Sequence, residues 1–155
     1  MQSQLVFHHK TLDITLSNAA EKSSQQLDSK LIIEIQIYFS CLMGKRLAFY
    51  SEQSIDGCWQ VDDTDEFAEM LKNSQQLSGN VYVRFNTVMT KTCAVSDQLG
   101  PPPVSDFKIK NQTPYVPSWL NIDFKNGKWC GEYGWEASQA GYKNTKQIRG
   151  NQCQA

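Results

Sequence analysis

The two histidines of this chain, His8 and His9, are adjacent. Neighbouring side chains of an extended segment point to opposite faces, so at most one of them can look into a given site. A zinc centre needs three or four converging ligands. The chain offers no H-x-x-x-H, H-E-x-x-H or C-x-x-C spacing to supply them. The five cysteines, Cys41, Cys58, Cys93, Cys130 and Cys153, are scattered and odd in number. Free thiols in a reducing cytosol account for them better than a disulfide framework. A Cys–His dyad can be drawn from several of these residues, but nothing local favours any pair. Most of the cysteines fall in strand patterns, where a thiol behaves as a small buried hydrophobe. There is no G-x-S-x-G nucleophile elbow. Gly131, Gly134 and Gly141 are too widely spaced to cradle a phosphate. No catalytic residue, cofactor or metal is therefore expected, and a non-catalytic protein is favoured over an enzyme.

Two groups of residues remain. Between Arg46 and Lys72 there is no lysine or arginine, yet the interval holds Glu52, Asp56, Asp62, Asp63, Asp65, Glu66 and Glu69. The run from Asp62 to Glu66 lacks the glycine and terminal glutamate of a calcium loop. Helix capping and solvation account for much of it. As a functional surface, Asp62, Asp63, Asp65, Glu66 and Glu69 would steer a basic protein partner and raise its association rate. A toxin-neutralising, immunity-type protein is one concrete version of such a module. The second group is Trp129, Gly131 and Tyr133. A hairpin closing at Asn126-Gly127 sets all three on one face, with an open space over Gly131 ringed by aromatics. That space is a candidate ligand pocket for a small enzyme or binding domain, and plain core packing is the competing account. Lys125 and Lys128 beside it do not form a track for nucleic acid.

The elements that would hold these groups follow from periodicity. Leu12, Ile14 and Leu16 alternate with polar residues as a half-buried strand, and a shorter strand over residues 5–8 precedes it, with a turn at His9-Lys10. Residues 18–29 are polar and aperiodic and read as a connection, with room for a short helical turn. Leu31, Ile33, Ile35, Ile37 and Phe39 make one fully aliphatic face, opposite a mixed one of Ile32, Glu34, Gln36 and Tyr38. Gly44-Lys45 suggests a turn before a returning strand that starts at Leu47, and Asp56-Gly57 a hairpin that pairs residues 58–61 back.

Asp63 then caps a helix over residues 63–75, with Glu66 at the capping-box position and Phe67, Met70 and Leu71 on one stripe. Val81, Val83, Phe85, Thr87 and Met89 form another long strand. Pro101, Pro102 and Pro103 stiffen an extended loop over residues 99–104, and Pro114 and Pro117 prolong the irregular region. Pairing outward from Asn126-Gly127 sets Phe124 opposite Trp129, Ile122 opposite Gly131 and Leu120 opposite Tyr133.

These elements predict an α+β fold: a largely antiparallel β-sheet with one main helix packed on one face. The expected core is Leu31, Ile33, Ile35, Ile37, Phe67, Met70, Leu71, Val83, Phe85, Ile122 and Phe124. The 155 residues suit one domain, residues 1–136, followed by a polar, weakly basic tail over residues 137–155. A net charge of −1 gives no global basic field, so neither nucleic acid nor an anionic membrane is an expected partner. No run approaches the roughly 20 apolar residues of a membrane span. The first ten residues do not read as a secretory signal, and the expected location is cytoplasmic. No stretch matches a family motif residue by residue.

Overall fold

The computed structural model describes residues 1–39, 43–90, 104–106 and 109–136. In chain order the elements are β1 (Gln2–Phe7), β2 (Lys10–Leu16), α1 (Asn18–Gln25), β3 (Leu31–Phe39) and β4 (Met43–Ser51). Then come β5 (Trp59–Gln60), α2 (Thr64–Lys72), β6 (Gln75–Ser78), β7 (Val81–Thr90) and β8 (Val104–Asp106). A 3-10 turn (Thr113–Tyr115), β9 (Trp119–Lys125) and β10 (Lys128–Gly134) complete them. They form two sheets, one of four strands in the order β1-β2-β9-β10 and one of six. The larger runs β5-β4-β3-β7-β6, with β8 beside β7.

The inner faces of the two sheets share one core. Leu12, Ile14, Leu120, Ile122, Trp129 and Tyr133 of the smaller sheet meet Leu31, Ile33, Ile35, Ile37, Leu47, Phe49, Val83 and Phe85 of the larger. The larger sheet is also covered on its outer face, where Phe67 and Met70 of α2 pack on Ile32, Ala48 and Tyr50. The strand read as half-solvated is therefore central and buried on both sides. Leu71 and Phe124, expected in the core, are only partly buried.

The α+β class holds, but the sheets are mixed rather than largely antiparallel. β3 runs parallel to β7, with Leu31 beside Val81. β2 runs parallel to β9, and β4 to β5. Alternation and hairpin signals report antiparallel pairings between neighbours in sequence; β3–β7 and β2–β9 are joined by long connections, and residues 52–58 loop back so that β5 runs parallel to β4. Asp56-Gly57 does form a turn, with Gly57 at φ 82° and the Cys58 amide donating to the Ile55 carbonyl at 3.1 Å. The strand that follows lies parallel to β4, so the expected hairpin is not made. Gly44 and Lys45 lie inside β4 rather than in a turn. The first turn is His8-His9 instead of His9-Lys10. Both residues take positive φ, 48° and 67°, as a two-residue hairpin between right-twisted strands requires.

One main helix becomes two. The connection over residues 18–29 contains α1, capped by Ser17, whose hydroxyl accepts from the Ala20 amide at 3.1 Å. The same hydroxyl donates to Asp123 Oδ1 at 2.6 Å, tying the helix start to β9. Only Ala20 and Ser24 of α1 are buried, so it shows no apolar periodicity. α2 ends at Lys72, short of Gln75, which opens β6. The terminal hairpin has the expected turn and register: Asn126 and Gly127 take φ 53° and 75°, and Phe124, Ile122 and Leu120 face Trp129, Gly131 and Tyr133. Residues 91–103, 107–108 and 137–155, with the three prolines and the basic tail, lie outside the described residues, as do Cys41, Cys93 and Cys153. Val104 belongs to β8.

Candidate functional site

Of the five acidic residues singled out, two are used by the fold, Asp63 and Glu69, whose Oε1 accepts from Asn73 Nδ2 at 3.4 Å. Asp63 Oδ1 accepts from the amides of Asp65 and Glu66 at 2.9 and 3.0 Å, capping α2. Asp62, Asp65, Glu66 and Glu69 are exposed. Among the described residues no lysine or arginine forms an ion pair with any of the five. Burial of Phe67 and Met70 fixes the helix on the sheet, so these carboxylates are displayed from a rigid support.

The aromatic group of the terminal hairpin is core. Trp129 and Tyr133 are 3% and 2% exposed. A Cβ at Gly131 would sit 2.5 Å from the Asn121 carbonyl oxygen and 2.8 Å from Leu47 Cδ2. The space expected over Gly131 is thus filled by a leucine of the opposing sheet, and no pocket opens there. The Tyr133 hydroxyl crosses to the larger sheet. It donates to the Gln36 carbonyl at 2.5 Å and accepts from the Arg46 amide at 3.1 Å. Lys45 binds the Tyr133 carbonyl at 2.7 Å and lies 5.2 Å from the Tyr133 ring and 5.7 Å from that of Trp135. Burial lowers its pKa, with Glu132 opposing the shift.

The polar group that the structure assembles lies elsewhere, on the outer face of the larger sheet beyond the cover of α2. Register places Glu34 beside Arg84, Gln36 opposite Arg46, and Tyr38 opposite Gly44. Glu34 and Gln36 are 4% and 1% exposed, in the middle of the most apolar strand. Glu34 Oε2 pairs with Arg84 Nε at 3.5 Å, and its other oxygen accepts from Gln36 Nε2 at 2.7 Å. Gln36 Nε2 also donates to the Tyr50 hydroxyl at 3.2 Å. Burial, reinforced by Glu34, pushes the Tyr50 phenol up to about 12, so it keeps its proton at neutral pH. Burial lowers the pKa of Arg46, against a smaller opposing effect of Tyr50 and Tyr38. Among the described residues two buried polar atoms here have no partner, Gln36 Oε1 and the indole nitrogen of Trp59, which is the cross-strand neighbour of Tyr50. Such orphans are uncommon in folded proteins.

The sequence shows this face as the mixed side of a strand, but not its burial. A signal was present: glutamate and glutamine interrupt an otherwise apolar nine-residue strand, and the flanking strands each carry an arginine, Arg46 and Arg84.

The cysteines correct the expectation of free thiols. Cys58 is free, and burial together with Asp56 raises its thiol to about 12. Cys130, however, is disulfide-bonded. No described helix is long and apolar enough to cross a membrane. Among the described residues no three His, Cys, Asp or Glu side chains gather as a metal site. Comparison with protein-family models, curated proteins and solved structures returned no match.

Proposed function

We propose that this protein is a non-catalytic interaction module that offers the acidic N-terminal end of α2 to a basic protein partner. The observation that carries the reading is the exposure of Asp62, Asp65, Glu66 and Glu69 with no described cation paired to them. Exposed carboxylates keep their field available to an approaching surface, and a pinned helix holds them in fixed relation. An immunity-type inhibitor that covers a basic cleft is one protein of this kind. The alternative of a small enzyme or binding domain loses its proposed site, because Leu47 fills the space over Gly131. Free thiols are one ground for expecting a cytoplasmic location; Cys58 meets that expectation and Cys130, which is disulfide-bonded, does not.

The test is capture of partners by the tagged chain from its native cell, repeated with Asp62, Asp63, Asp65, Glu66 and Glu69 changed to Asn or Gln. Asn at position 63 keeps a capping oxygen, so folding is preserved. The expected result is a specific partner whose association slows with salt and with neutralisation. A partner held equally well by the neutral variant refutes this interface.

A further inference from the structure

The smaller sheet ends at β1, which has β2 on one side and no described strand on the other. The register says which backbone groups are left over. Met1 and Leu16 exchange hydrogen bonds at 2.8 and 3.0 Å, so by alternation Ser3, Leu5 and Phe7 also turn their amides and carbonyls toward β2. Gln2, Gln4 and Val6 turn theirs outward. The Val6 carbonyl follows this rule: Gln75 Nε2 reaches it from β6 at 2.6 Å. No described group bonds the outward amides and carbonyls of Gln2 and Gln4, and both residues are exposed. The Gln4 side chain is drawn back over β2, where Nε2 donates to Asp13 Oδ1 at 2.7 Å.

Free strand groups pair with any other chain, and folded proteins blunt them with charge, proline, a bulge or shortness. The other described edges carry such devices. β5 has two residues and β8 three. β6 is irregular between Gln76 and Ser78. β10 bears Lys128 and Glu132, and Lys45 holds its Tyr133 carbonyl. β1, Gln-Ser-Gln-Leu-Val-Phe, has no charge, no proline and no bulge.

We propose that β1 pairs with β1 of a second copy of this chain, antiparallel about a twofold axis at Ser3. In that register Gln2 of each copy lies opposite Gln4 of the other. Each such pair exchanges both of its backbone bonds, so every free group of Gln2 and Gln4 is used. An axis at Gln4 would instead need the Val6 carbonyl, which Gln75 holds. Met1 of each copy meets Leu5 of the other. Both are partly buried hydrophobics at the margin of the core, so the contact extends the core across the axis. With its Nε2 on Asp13, Gln4 keeps Oε1 to accept from the Gln2 amide opposite. An uncharged, self-matching strand fits its own copy and offers a charged peptide nothing to pair. The contact is isologous and closes as a dimer. It is separate from the acidic residues of α2 and does not depend on the partner reading.

The experiment follows the full isotope-labelled chain over a concentration series. The contact is smaller than the roughly 1,200–2,000 Å² of a stable complex, so the dimer should form at about 0.1–1 mM by sedimentation and diffusion measurements. The amides of Gln2 and Gln4 should shift and gain exchange protection as it forms, whereas those of Ser3 and Leu5, already bonded to β2, should change little. Salt should leave the association unchanged, unlike one carried by the α2 carboxylates. Gln4→Pro removes an outward N–H at an edge position that tolerates proline, and should weaken the dimer at least about tenfold. Gln2→Pro is the second variant if that one does not fold. A monomer up to about 2 mM overturns the proposal. So does a dimer to which the Gln2 and Gln4 amides do not respond, or one that a folded proline variant forms equally well.

Discussion

Removing the Tyr133 hydroxyl isolates the contact that stitches the two sheets together. Tyr133 is 2% exposed, and its ring lies in the shared core. Its hydroxyl serves the Gln36 carbonyl at 2.5 Å, the Arg46 amide at 3.1 Å and, more weakly, the Arg46 carbonyl at 3.2 Å. Tyr133→Phe keeps the ring volume, so it leaves no cavity the size of a side chain. Burial drives the phenol's pKa upward, so the tyrosine is neutral at working pH and no charge is lost either. What is lost is an acceptor for one part-buried amide and a donor for one buried carbonyl. Each such loss costs about 1–2 kcal/mol, the lower part of the usual range, because the amide is not fully desolvated. The sum is roughly 2–4 kcal/mol, a large share of the 5–15 kcal/mol that holds a typical domain. At about 2–4 °C per kcal/mol for a chain of this length, Tm should fall by roughly 5–15 °C. Urea denaturation should show a matching fall in midpoint with an unchanged slope. Native-state hydrogen exchange adds the local readout: the Arg46 amide should lose protection beyond the global change. A Tm within about 1 °C of the parent, with the Arg46 amide equally protected, would refute the reasoning.

Asp63→Ala should cost about 1 kcal/mol by removing the cap of α2, a fall of roughly 2–4 °C in Tm, whereas Asp63→Asn should be nearly neutral. Gly131→Ala would push a methyl group to 2.5 Å from the Asn121 oxygen and 2.8 Å from Leu47, and should destabilise by about 1–3 kcal/mol in thermal or urea unfolding. Non-reducing peptide mapping should find Cys130 in a cross-linked peptide. In the same experiment Cys58, its thiol at about 12, should alkylate far more slowly at pH 8 than an ordinary exposed thiol, by roughly fifty-fold after allowing for the greater nucleophilicity of its thiolate.

The terminal hairpin was legible almost in full, because a two-residue Asn-Gly turn dictates its own register and alternation then assigns each face. Asp63 was legible for a similar reason: a cap is read within one helical turn. The parallel pairings were not, since nothing at Leu31 says that Val81, rather than another apolar strand, lies beside it. α1 is legible only as room for a helical turn, because it buries an alanine and a serine, too little apolar surface to leave a period. The space over Gly131 was misjudged because one hairpin carries no information about the sheet opposite it. The polar cluster was missed for the same kind of reason. Glu34 and Gln36 read as the solvent side of a half-buried strand, and the strands on either side of them, β4 and β7, are not legible as partners at that point.

Those two polar residues bear on how the chain reaches its fold. β3 receives β4 from its near neighbour in sequence, but its other edge waits for β7, fifty positions further on (Leu31 to Val81). Non-local pairing of that kind forms slowly, because a long loop must close before the contact is rewarded. In the interval the segment Leu-Ile-Ile-Glu-Ile-Gln-Ile-Tyr-Phe presents an unpaired edge of high β-propensity. Without Glu34 only Gln36 would interrupt it as an apolar template for a second nascent chain. A carboxylate at its centre makes self-stacking repulsive until Arg84 arrives on β7 to neutralise it. On this reasoning the ion pair forms late in assembly, and two substitutions test it. Glu34→Leu should leave a foldable chain that refolds with more aggregation as its concentration rises, while Arg84→Leu should leave refolding soluble and weaken the finished fold.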